Sequence, residues 1–174
     1  QVNSLNVTTE ATGTGSGGNI TLNNPVTIDD AVALDNEGAG TPTTAQDLTV
    51  GVNINAGTTI DITSEGQLLH TAGTLATTAG DATLNANGNV TQSDGAAITA
   101  GKVAITSNAG NIVTELLTAT GDDITLTATA GSIADVDGAS SAAGDILVLD
   151  SNSTIGSGGN VFNSDVATLR LSAG

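Results

Sequence analysis

The sequence predicts an all-β fold: a parallel β-solenoid of roughly triangular coils, 21–22 residues each and about six to seven coils long. Three observations carry this. First, similar strands start at Asp81-Ala82-Thr83-Leu84, Lys102-Val103-Ala104-Ile105, Asp123-Ile124-Thr125-Leu126 and Asp145-Ile146-Leu147-Val148, at offsets of 21, 21 and 22 residues. Second, apolar and polar residues alternate within each short run, the period of a half-buried strand, and no helical pattern appears. Third, the chain holds 23 Gly but one aromatic residue, Phe162, and no Cys, Met, Trp or Tyr. An interior filled only by Val, Ile, Leu and Ala suits a narrow core of identical layers.

In chain order, residues 1–16 contain "SLNVTT" and then a Gly/Thr stretch, which reads as a partial first coil or a linker. Residues 17–57 read as irregular coils. Ile20/Leu22, Val26/Ile28 and Val32/Leu34 make the three strands of one coil. "DNEGAGTPTTAQ" (residues 35–46) then breaks the pattern and reads as a loop insertion leaving the solenoid. Residues 47–54 resume as one strand, with Leu48, Val50, Val52 and Ile54 on one face.

Residues 58–174 carry the regular repeats of one continuous domain. Thr59-Ile60-Asp61-Ile62 precedes the four strands above and Asp165-Val166-Ala167-Thr168 follows them. A second strand recurs at Leu68, Val90, Ile112, Ile133 and Ile155, and a third at Leu75, Ile98, Leu117 and Val161. In the 121–144 repeat the third position falls in "GASSAAG", which offers only small residues. Gly, Asn, Asp and Ser between the strands supply the corners. The expected columns are Ile60, Ala82, Val103, Ile124, Ile146; Ile62, Leu84, Ile105, Leu126, Val148; and Leu68, Val90, Ile112, Ile133, Ile155.

Charge narrows the partners. Eighteen acids stand against Lys102 and Arg170, for a net charge of −16. Phosphate backbones need clustered Lys and Arg, so nucleic acid is not expected, and neither is an anionic membrane surface. No run has the length of a membrane span, no signal-peptide pattern is visible, and no membrane insertion is expected. The hydrophobic share of 38% and the regular spacing argue against disorder, the default for an acidic Gly/Ser/Thr-rich chain. Gln1 in place of Met fits a processed chain or a segment of a longer one.

The "GDITLTA…GNI…AG" cadence of residues 80–100, 101–121 and 121–144 resembles filamentous-haemagglutinin-type repeats of large secreted bacterial adhesins, including two-partner-secretion exoproteins. The resemblance covers residues 58–174 well and 17–57 loosely. It implies a right-handed parallel β-helix, a secreted or cell-surface location and an adhesive or stalk role. It carries no catalytic residues to transfer, and the secretion-domain motifs of such exoproteins are not apparent.

Four aspartates of "GDDITLTATAGSIADVDG" invite a site reading. Asp123 shares a repeat position with Asp81 and Asp145, and Lys102 fills the slot between the first two. Turn carboxylates with backbone carbonyls suit calcium, the one cofactor the sequence allows. Two sets qualify as a weak site: Asp122, Asp123, Asp135 and Asp137, or Asp29, Asp30, Asp35 and Glu37. Neither matches an EF-hand or the nonapeptide of calcium-binding β-rolls. Enzyme function is not expected. The only bases are Lys102, Arg170 and His70, and the aromatic platforms of polysaccharide clefts are missing. His70, in "QLLHTAG", reads as solvent-facing. Thr-x-Thr arrays that bind ice are broken at Asn85 and Ala104. Glycosylation sequons at Asn6, Asn19, Asn89 and Asn152 occur at about the frequency of chance in an Asn- and Thr-rich chain.

Two functions follow. One is a non-enzymatic stalk or adhesive segment whose displayed loops bind a host or neighbouring-cell receptor or glycan. The other is a subunit of an extracellular filament or surface layer that stacks on copies of itself. The second rests on "TLRLSAG", which runs in mid-repeat without a polar cap, with Phe162, Arg170 and Leu171 as contact residues.

Overall fold

The computed structural model describes residues 3–9, 18–36, 46–138, 140–156 and 162–174. Among them there is no helix, and every strand pairing is parallel. Strand β1 (Leu5–Thr8) precedes the coils and pairs with the third strand of the first one. Five coils of three strands follow: β2 (Ile20–Leu22), β3 (Val26–Ile28) and β4 (Val32–Asp35); β5 (Leu48–Val50), β6 (Ile54–Ala56) and β7 (Ile60–Ser64); β8 (Leu68–His70), β9 (Thr74–Thr77) and β10 (Ala82–Ala86); β11 (Val90–Gln92), β12 (Ala97–Ala100) and β13 (Val103–Ser107); β14 (Ile112–Thr114), β15 (Leu116–Ala119) and β16 (Ile124–Ala128). β17 (Ile133–Asp135), β18 (Ser140–Ser151) and β19 (Asn163–Ala173) extend the stack. The molecule is a β-solenoid of about five turns, slightly fewer than the six to seven coils expected.

Each coil contributes one strand to each of three faces. Face 1 is the six-stranded sheet β17-β14-β11-β8-β5-β2. Face 2 runs from β3 to β15 and face 3 from β1 to β16, and β18 joins these two into one 13-stranded sheet. Its first half pairs with β15 (Leu117↔Ala142) and its second half with β16 (Leu126↔Leu149). Elsewhere a turn separates these faces. Here Gly144 passes the corner within a strand, where an added Cβ would sit 3.2 Å from the Ala119 methyl.

The core is the set of inward columns. Val32, Ile60, Ala82, Val103 and Ile124 stack on face 3, each fully buried. Leu68, Val90, Ile112 and Ile133 do the same on face 1, continued by a bridge to Ile155. Face 2 stacks Ile54, Leu75, Ile98, Leu117 and Ala142. Like meets like at a strand spacing of about 4.8 Å, so aliphatic side chains close the interior without rings. Val161 lies outside the described residues.

Three expectations change. Ile146 and Val148 do not continue the face-3 columns: Ile124 pairs with Leu147 and Leu126 with Leu149, and these two leucines are buried. The offset at this step is 23 residues, and a one-residue change of register turns every side chain to the other face. Ile146, not Asp145, therefore follows Asp123 in the column that contains Lys102 and Asp81. In β19, Asp165 and Val166 lie beside Ala143 and Gly144, and Leu169 and Leu171 line up with Leu147 and Leu149 while remaining exposed. Residues 47–54 are not one strand. Gly51, Val52 and Asn53 form a corner between β5 and β6, pinned by a bond from Gly51 N to the Leu22 carbonyl (3.3 Å).

The Asn and Asp residues before face 1 have a defined task. Asn19 Oδ1 accepts from Asp47 N (3.1 Å), Asp47 Oδ1 from Gln67 N (2.9 Å), Asn89 Oδ1 from Asn111 N (2.8 Å) and Asn111 Oδ1 from Ser132 N (2.8 Å). Each side chain caps the next coil's exposed N–H, which answers the demand that backbone donors be paired.

Candidate functional site

Three corners separate the faces, and polar groups gather at two of them. At the corner from face 3 to face 1 the inward residue is Asn36, Ser64, Ala86, Ser107, Ala128 or Ser151 in turn. The hydroxyls bind turn carbonyls: Ser64 Oγ to Gln67 O (2.8 Å), Ser107 Oγ to Gly88 O (2.8 Å) and Ser151 Oγ to Gly131 O (2.8 Å). Asn36, 1% exposed, donates from Nδ2 to the Gln46 carbonyl (3.0 Å) and accepts at Oδ1 from Glu65 N (2.9 Å). Ser64 Oγ donates to the same Gln46 carbonyl (3.2 Å). Asn36 and Gln46 are thus held together at one clamped point. Residues 37–45 of the expected loop, Glu37 included, lie outside the described residues.

The corner from face 1 to face 2 is different. The last residues of β5, β8, β11, β14 and β17 are Val50, His70, Gln92, Thr114 and Asp135, all buried. His70 is fully buried, not solvent-facing. Gln92 Nε2 lies 3.3 Å from His70 Nδ1, and Gln92 Oε1 accepts from Glu115 N (3.2 Å). His70 Nε2 and Thr114 Oγ1 have no partner among the described residues. Burial pushes the imidazole down to about 4, against a smaller opposing pull from the Gly73 and Ala72 backbone, which does not reach hydrogen-bond geometry at Nε2.

On the outside of this corner, Asp94, Glu115 and Asp137 from three successive coils bring carboxylate oxygens within 4.8 Å of one another. The turns explain the meeting. Gly95 and Gly138 take φ of 79° and 76°, and each left-handed step follows the acid directly. Burial raises the Glu115 carboxyl, and the charges of Asp137, Asp94 and Asp135 raise it further, while a Gly95 backbone bond acts the other way. Three hard oxygens at this spacing are a donor set for a divalent cation.

Of the first expected calcium set, only Asp137 belongs to this trio. Asp135 is 3% exposed, and its Oδ1 accepts from Asp137 N (2.9 Å) and Gly138 N (2.5 Å), so it builds the turn. Asp122 and Asp123 sit at the other end of face 2, about a four-residue strand or roughly 13 Å away. There Asp122 Oδ1 caps Asp123 N (2.9 Å). Asp29 and Asp30 precede β4 and Asp35 ends it, and Asp30 Oδ1 accepts from Thr58 Oγ1 (2.8 Å). Five extended residues hold Asp30 and Asp35 about 16 Å apart, too far for one ion. Asp94 and Glu115 escaped the sequence reading. Their signal was register: both follow the face-1 strand end by one or two residues, as Asp137 does. Phe162 packs half-buried on the core, Arg170 is exposed, and Leu171 is exposed at 59% beside Leu169 at 50%.

No family model, curated protein or solved structure matches this chain. Its sites are therefore read from their own chemistry.

Proposed function

We propose that this chain is a non-enzymatic structural and adhesive segment of an extracellular bacterial surface protein, a rigid β-solenoid stalk that displays binding loops. One observation carries the reading. Asn36 and Gln46, which flank residues 37–45, meet at a single buried clamp tied onward to Ser64 and Glu65 of the next coil. Such a base lets a segment vary and bind without disturbing the columns beneath it. The resemblance to filamentous-haemagglutinin-type repeats supports the adhesive role and the surface location. The test removes residues 37–45, joins the clamped ends through a short Gly linker, and measures binding to a panel of cells and glycans. The reading requires an unchanged far-ultraviolet spectrum and lost binding. Binding that survives the deletion, or its absence in the intact chain, would sink it.

A second reading, a self-stacking subunit, has its own support. Leu169 and Leu171 continue the face-3 columns above Leu147 and Leu149 yet remain half exposed. Strand β1 lies on the same face and offers Leu5 and Val7 at the same two-residue spacing. A second copy's β1 seated on β19 would continue both columns. Sedimentation of the purified chain, with and without calcium, separates the readings: long linear fibres favour the subunit, a stable monomer the stalk.

A further inference from the structure

Along face 1 the coils are joined just past the strand ends by one backbone bond per step: Thr71 N to Val50 O (2.8 Å), Ser93 N to His70 O (2.9 Å) and Val136 N to Thr114 O (2.9 Å). At Glu115 the pattern changes. Its N–H donates to the Gln92 side chain, at Oε1, instead. That bond fixes the amide. A backbone N–H can only donate, so the atom it meets is the Gln92 oxygen, and the NH2 is left facing His70 Nδ1 at 3.3 Å. An amide NH2 can only donate in turn, so Nδ1 accepts and the proton of the neutral ring sits on Nε2.

A protonated ring would carry hydrogen on both nitrogens. Its Nδ1–H would then meet the Gln92 NH2, donor against donor. Turning the amide over relieves that clash but presents NH2 to the Glu115 N–H and breaks the other bond. One proton at His70 therefore costs the connection between the fourth and fifth coils at this corner.

We propose that His70, Gln92 and the Glu115 N–H form an acid-released latch, closed while His70 is neutral and opened at Glu115 when the ring takes a proton. The surroundings offer the imidazolium little. Val50 packs below the ring and Gln92 above it. β10 turns Ala82, Leu84 and Ala86 inward, and β9 turns Leu75. The acids nearest along this corner are Asp94, Glu115 and Asp137 on its outer side, and the buried Asp135 at the far end of the row. The ring's Nε2 has no partner among the described residues.

His70 is the single histidine, so its imidazole resonances are unambiguous. Nitrogen-15 NMR of the whole chain should show the Nε2–H tautomer at pH 7 and a ring that stays neutral through pH 5. Hydrogen exchange at the Glu115 amide, corrected for intrinsic rate, should be protected at pH 7. It should speed up at least tenfold as the ring protonates, with Ser93 and Val136 lagging. His70→Val puts into the row the residue already seated there as Val50 and, with no ring to protonate, should keep the corrected Glu115 exchange independent of pH. An Nδ1–H tautomer, an ordinary titration near 6.5 with Glu115 still protected, or a pH-dependent loss that persists in His70→Val overturns the latch. The tautomer is read on the unsubstituted chain, so a misfolded variant does not shelter the proposal.

Discussion

Replacing Leu147 and Ile146 in turn by alanine separates two registers that the sequence makes look alike. Matching "DILV" to "DITL" places Ile146 in the core; the pairing of Ile124 with Leu147 places it outside. Leu147 is fully buried between Ile124 and Leu169, whereas Ile146 is half-buried. Leu147→Ala removes three buried carbons, about 2.5 kcal/mol of transfer free energy at roughly 0.8 kcal/mol each. A residual cavity adds to this, and the half-exposed Leu169 above can settle into part of it, so about 3 kcal/mol in total is expected. For a chain of this size that lowers the thermal midpoint by roughly 6–12 °C. Ile146→Ala should cost under about 1 kcal/mol. Circular dichroism melts of both variants at one pH measure the difference. If Ile146→Ala proved the more damaging, the observed register, and the 23-residue step behind it, would be wrong.

Glycine substitutions test the corner from face 2 to face 3. Gly80→Ala drives a Cβ to 1.9 Å from the Thr58 carbonyl oxygen and should cost at least about 2 kcal/mol, whereas Gly121→Ala meets nothing within 4 Å and should be neutral or slightly stabilising; melts that place the two together would refute this. Glu115→Gln should raise stability at neutral pH, because the folded state lifts this carboxyl and so penalises its charged form. The gain should vanish as pH falls through the Glu115 titration, and denaturation midpoints at pH 7 and pH 3 check it. His70 works in the opposite sense: its ring is held at about 4 against 6.5 unfolded, so stability is full above pH 6.5 and falls by roughly 1.4 kcal/mol per unit below it, about 3 kcal/mol in all. That slope should be missing from denaturation curves of His70→Val.

The fold was legible because three properties recur together: period-two alternation, Gly/Asn/Asp corners and like residues at fixed offsets. Leu68, Val90, Ile112 and Ile133 could be stacked from spacing alone, because the turns between them keep nearly constant length. Spacing failed where the backbone absorbed a residue. Passing the corner at Gly144 within a strand shifts β18 by one, and the Asp-Ile pair at 145–146 then imitates the wrong position. A subtler signal would have corrected it. Ser64, Ala86, Ser107 and Ala128 end the inward run of their strands, and Ser151 keeps that place only if Leu147 and Leu149 point inward. The site was less legible. Carboxylates adjacent in sequence, such as Asp122 and Asp123, drew attention, but a solenoid joins residues one coil apart. Asp94, Glu115 and Asp137 meet from three coils, and their offsets are visible only once the turn geometry is known.

The two polar corners divide the work of the molecule. At the face-3 to face-1 corner the inward Asn and Ser groups find carbonyl or N–H partners, and the outer Asn and Asp side chains cap one coil after the next. Satisfied networks of this kind add rigidity. The face-1 to face-2 corner holds a neutral histidine, a threonine hydroxyl without a partner among the described residues, and a side-chain bond where the neighbouring steps have backbone bonds. Outside it, three carboxylates crowd together at a cost in repulsion. A repeat that can place Val50 in this row has no packing need for His70 one coil later. A buried imidazole and hydroxyl without partners among the described residues, on a scaffold otherwise stacked like on like, mark the face-1 to face-2 corner as the place where stability has been traded for a response to protons.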